Sequence, residues 1–115
     1  MAIEDWTSYI AVTNRHMDAL RKAIPATAAG FRDLAVAATA PGALDPKTKE
    51  LMAIALSIAA HCDGCIGFHV KAAIKHGATR DEVAEAIGMA VYMGGGPSMI
   101  CGADALKAYD ELSEG

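Results

Sequence analysis

A chain of 115 residues is one domain by default, with room for a single core. Its residues are 53% hydrophobic but only 5% aromatic; so much aliphatic side chain on so small a body predicts surface that meets other copies of the chain, an obligate homo-oligomer. The net charge of −4, with no grouping of Lys and Arg, excludes a phosphate-neutralising face, and nucleic acid is not an expected partner.

The N-terminus, M-A-I-E-D-W, carries acids where a secretory leader carries bases, and no apolar stretch follows, so a cytoplasmic location is expected. Ile3, Trp6, Ile10, Thr13, Met17 and Leu20 recur at three- and four-residue steps with Glu4, Asp5, Arg15 and Asp18 between them, which predicts a helix over 3–22. Trp6 is its packing anchor, and His16 falls on a solvated face. Pro25 ends this helix and suits the first turn of a second, 25–39, with Phe31, Leu34 and Val36 available for burial. Pro41-Gly42 is a turn signal. Asp45-Pro46 reads as an N-cap followed by proline at the first helical position, opening a third helix from 46 to about 61. The apolar run inside it, 51–60, is broken by Ser57 and falls short of the roughly 20 residues that cross a bilayer, so a buried helix and no membrane are expected.

His61-Cys62-Asp63-Gly64 connects to a fourth helix, 63–76, with His76 in its last turn and Gly77 placed for a left-handed cap. Thr79 and Glu82 have capping-box spacing and open a fifth helix, 80–93, with Val83, Ile87 and Ala90 inward. Gly94-Gly95-Gly96 ends it; the run lacks the Lys-Ser/Thr of a phosphate loop. Pro97 begins a sixth helix, through Ile100, Ala103, Leu106 and Leu112 to the C-terminus. Met89, Met93 and Met99 are expected in the core, at subunit contacts or bordering a substrate pocket, and Cys101 in the core. No segment alternates with a period of two, and no internal repeat is present. The expectation is an all-α single domain, 1–115, of about six helices, with the third and fourth as a central antiparallel pair.

That pair carries the strongest chemical signal. Cys62, Cys65 and His69 stand in the order C-x-x-C-x-x-x-H, and Glu50 lies twelve residues before the first cysteine. Two cysteines three apart can close a small disulfide ring. In a reducing compartment such a pair is more often catalytic or metal-binding than structural. A redox cysteine reacts as the thiolate, which the start of a helix and a nearby base both favour. His69, four residues beyond Cys65, shares its helix face and is the candidate base; Glu50 is the candidate orienter of His69. The rise of 1.5 Å per residue puts Glu50 about 18 Å and His69 about 10 Å from the corner. That leaves several ångströms for long side chains, a water or an early end of the third helix to close. Two other readings stay open: zinc held by Cys62, Cys65, His69 and His61, and cysteines that are simply small apolar residues.

These residues carry a resemblance. Glu50 ahead of C-x-x-C-x-x-x-H is similar to the active-site pattern of the AhpD-like alkylhydroperoxidases of the carboxymuconolactone decarboxylase superfamily. The flanks agree: K-x-K-E-L before the cysteines, H-G-A-T-x-x-E-V-x-E-A after them and M-G-G-G-P before the last helix. The resemblance covers about 40–112. It implies a disulfide cycle with a small hydroperoxide as substrate. Cys65 is then the peroxidatic residue, Cys62 the resolving one, and Glu50 with His69 the proton relay. No cofactor or metal is bound; an external dithiol, such as a lipoyl group, restores the pair. The resemblance also implies a helical trimer or hexamer. The best-known member has a histidine directly before its second cysteine, where this chain has Asp63-Gly64; His61 is the candidate substitute. Two further functions remain alongside: a carboxymuconolactone decarboxylase-type lyase working through His69 and Glu50, and a non-enzymatic redox-sensing oligomer.

Overall fold

The computed structural model describes residues 3 and 5–114. Six helices follow one another: α1 (Trp6–Ala23), α2 (Pro25–Thr39), α3 (Pro46–Ala59), α4 (Asp63–Lys75), α5 (Arg80–Gly94) and α6 (Gly96–Ser113). No strand occurs among the described residues. No described helix is long and apolar enough to cross a membrane. Glu4 and Gly115, expected within the first helix and at the end of the last, lie outside the described residues.

Each boundary has a local cause. Asp5 caps α1 by accepting from the Ser8 N–H at 3.1 Å, so that helix starts three residues later than its apolar pattern suggests. Asp45 caps α3 in the same way through Thr48 at 2.7 Å, with Pro46 in the first turn. Thr79 and Glu82 close a complete capping box on α5. Gly77, at φ 85, ends α4: its N–H donates to Ile74 O and that of Ala78 to Ala73 O, the paired bonds of a Schellman motif.

Helices α3, α4, α6 and α5 pack in that cyclic order as a four-helix bundle, with α3 also meeting α6. Ile54, Ile58, Ile66, Val70 and Val83 fill its centre with the small faces of Ala73, Ala90, Ala105 and Ala108. Trp6 is fully buried and joins α1 to this core. A Cβ at Gly67 would lie 3.1 Å from two Trp6 ring carbons, so the missing side chain lets the indole seat on α4. The Trp6 backbone N–H donates to the Glu111 carboxylate on α6. Two ion pairs brace the outside: Lys47–Glu82 at 2.8 Å and Arg80–Asp110 at 2.7 Å.

Helix α2 departs from expectation. Its limits are as predicted, yet it buries none of its residues. Phe31, Leu34 and Val36 are 70%, 63% and 64% exposed in the single chain. The reason is tertiary: α2 touches only α1 and α3 and lies outside the bundle. Tyr92, Met89, Met93, Met99 and Ile100, about the α5–α6 junction, are exposed as well.

Candidate active site

Helix α3 stops at Ala59 because the chain turns there in a second Schellman motif. The His61 N–H donates to Ile58 O at 3.0 Å and the Cys62 N–H to Ser57 O at 3.1 Å. His61 takes the left-handed conformation, φ 56, at the position glycine usually fills. The turn is short, so α4 begins at Asp63 with Cys62 as its N-cap. The Cys62 sulfur accepts the Cys65 N–H at 3.2 Å, a bond that a Ser, Thr, Asp or Asn oxygen ordinarily supplies.

Cys62 and Cys65 are joined in a disulfide, their Cα atoms 5.2 Å apart. Cys65 is exposed and Cys62 half-buried, so a small molecule can reach the bond. On reduction, the unpaired amides and dipole at the start of α4 favour negative charge on the sulfurs.

Glu50 is only 7% exposed on the inner face of α3. A buried carboxylate needs a strong partner, and it has one: Glu50 Oε1 lies 2.7 Å from His69 Nδ1. The gap expected between them closes because α3 ends early. Glu50 is nine residues from the end of α3 and His69 six residues into α4, a difference of about 4.5 Å in rise that the two side chains span. A carboxylate only accepts, so the hydrogen sits on Nδ1 and Nε2 is left as an acceptor. The His69 side chain is 37% exposed. The arrangement can take a proton at Nε2 and hold the resulting positive charge against a buried negative one.

The four residues singled out in the sequence thus form two contacting pairs on α3 and α4, Cys62 with Cys65 and Glu50 with His69. His61 does not join them. Its Nδ1 lies 3.5 Å from the Cys101 sulfur on α6. Cys101 is half-buried, packed against the core cluster as expected, and it is the free cysteine of the chain. Among the described residues no group of three or more His, Cys, Asp or Glu is placed to hold a metal ion. One neighbour was missed in the sequence. A Cβ at Gly64, between the cysteines, would lie 3.9 Å from both Tyr9 Oη and Thr13 Cγ2 of α1. The available signal was the spacing of Tyr9 from Trp6, three residues on and thus on the same helix face.

Comparison with known proteins shows that the fold is shared. The carboxymuconolactone decarboxylase family model matches residues 25–109. A carboxymuconolactone decarboxylase family protein of Legionella pneumophila, of known crystal structure, is 49% identical and superposes with a TM-score of 0.91, over 94% of this chain and 96% of that one. One from Thermotoga maritima, whose crystal structure carries a suggested involvement in the antioxidative response, is 30% identical with a TM-score of 0.82, over 92% of this chain and 91% of that one. An uncharacterized protein of Cupriavidus necator is 38% identical over 109 residues, 95% of this chain and 96% of its own length.

Proposed function

The chain belongs to the carboxymuconolactone decarboxylase family, and we propose that within it this protein is a thiol-dependent hydroperoxide reductase of the AhpD-like kind. The observation that carries the reading is the solvent-reachable Cys62–Cys65 disulfide on the helix that also presents His69, backed by buried Glu50. The suggested antioxidative involvement of the Thermotoga relative points the same way.

The cycle begins with the pair reduced. His69 Nε2 takes the Cys65 proton and Glu50 steadies the imidazolium. The Cys65 thiolate attacks the distal oxygen of the hydroperoxide, the O–O bond breaks, and the departing alkoxide leaves as the alcohol with the proton from His69. Cys65 is now a sulfenic acid. Cys62 attacks its sulfur, hydroxide leaves as water with the Cys62 proton, and the disulfide forms. An external dithiol then exchanges with the disulfide and becomes oxidised in turn. Lipoyl-type dithiols are the expected donors. The exposed apolar residues of α2 and of the α5–α6 junction support a working homo-oligomer, a trimer or hexamer.

The test is turnover of an organic hydroperoxide with dihydrolipoamide as donor. Cys65→Ser abolishes it, and Cys62→Ser stalls after one equivalent with a trappable sulfenic acid. Turnover by Cys65→Ser at the wild-type rate ends the proposal. The His69–Glu50 pair is complete without sulfur, which keeps a lyase reading in view. Lactone decarboxylation retained in Cys65→Ser, with no peroxide turnover in the wild type, favours it. Cysteines that cycle with the dithiol but reduce no peroxide favour a redox sensor.

A further inference from the structure

We propose that Cys101 and His61 form a second thiol site, separate from the Cys62–Cys65 pair, at which Cys101 reacts with small disulfides to give a mixed disulfide. The juxtaposition is long-range: the corner after α3 and the second turn of α6 are 40 residues apart in the chain, yet they bring Cys101 Sγ to 3.5 Å from His61 Nδ1. Cys101 is the free cysteine of the chain in its oxidised form. His61 is exposed and Cys101 half-buried, so in the single chain the pair is open to solvent on the imidazole side.

The chemistry follows from what a thiol needs. The thiolate is the nucleophile, and a contacting imidazole that accepts the proton generates it. The Cys101 thiolate attacks one sulfur of a disulfide R–S–S–R. The new S–S bond forms as the old one breaks, and the RS⁻ released takes the proton held by His61. The small disulfide is itself the oxidant, reduced to one RSH as Cys101 is oxidised, and the step reverses with excess RSH. His61 immediately precedes Cys62, so a group carried on Cys101 rests against the residue that leads into the Cys62–Cys65 pair. The substrate class is a low-molecular-weight disulfide, and the site works whether or not the CxxC pair reduces peroxides.

The oxidised chain makes the test clean, because Cys101 is then the thiol open to reaction. Bis(2-hydroxyethyl) disulfide is incubated with oxidised protein at neutral pH and followed by intact mass and peptide mapping. One adduct is expected on Cys101 and none in Cys101→Ser. Its rate is expected on the order of tenfold above that of a free-cysteine peptide, in which an unassisted thiol is only a few per cent thiolate. His61→Asn removes the base while suiting the left-handed backbone, and it brings the rate down to the peptide's; His61→Gly, which also suits the turn, does the same. Three results overturn the proposal: no adduct on the native protein, an adduct mapped to Cys62 or Cys65 instead, or a Cys101 rate that both His61 variants leave unchanged.

Discussion

Glu50 is a charged group in the bundle interior whose partner is an imidazole. If that contact serves a proton relay, the charge matters more than the shape. Glu50→Gln keeps the shape and an acceptor oxygen but loses the charge that steadies protonated His69. The expected outcome is a folded protein whose hydroperoxide turnover falls by roughly 10²-fold, the lower range for loss of acid–base assistance. His69→Ala is expected to do the same and to move the pH profile of Cys65 alkylation, in reduced protein, upward. Identical profiles for wild type and both variants would leave the relay without support. The four residues of this centre were legible because three sit within eight positions and the fourth precedes them by a fixed interval. The Cys101–His61 contact was not, because it joins residues 40 apart through packing alone. Tyr9 was passed over for the related reason that its approach to Gly64 comes from the packing of α1 on α4.

At the level of elements, the seat of α1 on α4 depends on one absent side chain. Gly67→Ala favours the helix by about 1 kcal/mol in propensity. Against that, the added methyl meets two carbons of the rigid Trp6 ring at 3.1 Å and Ile10 Cγ1 at 3.2 Å. The Trp6 ring is fully buried and has nowhere to withdraw. Overpacking is expected to prevail, with a net loss of about 1 to 2 kcal/mol in denaturant unfolding; a variant more stable than wild type would show that α1 shifts freely. Helix ends were readable wherever the cue is local chemistry, as at Asp45-Pro46, Gly77 and Thr79 with Glu82. The end of α3 was placed two residues late because its left-handed cap is His61, where the cue is glycine. Nothing local distinguishes a histidine that terminates a helix from one that continues it.

The whole molecule has a radius of gyration of 14.2 Å, above the about 13.4 Å expected for a compact domain of this length. The excess fits α2, which lies against the bundle on few residues and presents Phe31, Leu34 and Val36 outward. Those side chains were expected to be buried, and a single chain has nothing to bury them against. If a second copy covers them, light scattering gives a multiple of the chain mass at micromolar concentration, and Phe31→Glu with Leu34→Glu lowers it. A wild-type monomer rules the oligomer out. Stability of the whole should also fall in acid. Asp110 is held below its ordinary 3.8 by the hydrogen bond from Arg80. Glu82 is held below 4.5, first by the hydrogen bond from Lys47 and then by the Thr79 N–H. A carboxyl depressed in the folded state binds its proton more readily when unfolded. Its contribution is therefore complete above about pH 5 and is lost as pH falls through the depressed values. Melting temperature is expected to be level above that point and to decline below it, with a shallower decline in Asp110→Asn.

The sulfur that caps α4 gives the redox couple a mechanical side. Cys62 Sγ is at once a partner in the disulfide and the acceptor for the amide of Cys65. Each passage through the cycle alters the charge on that acceptor, and with it the grip on the opening turn of the helix. When Cys62 gives up its proton to close the disulfide, the negative sulfur holds that amide more firmly than a thiol or a bonded sulfur does. The backbone beneath the reactive pair is thus expected to be gripped hardest at the resolving step and to slacken once the bond has formed.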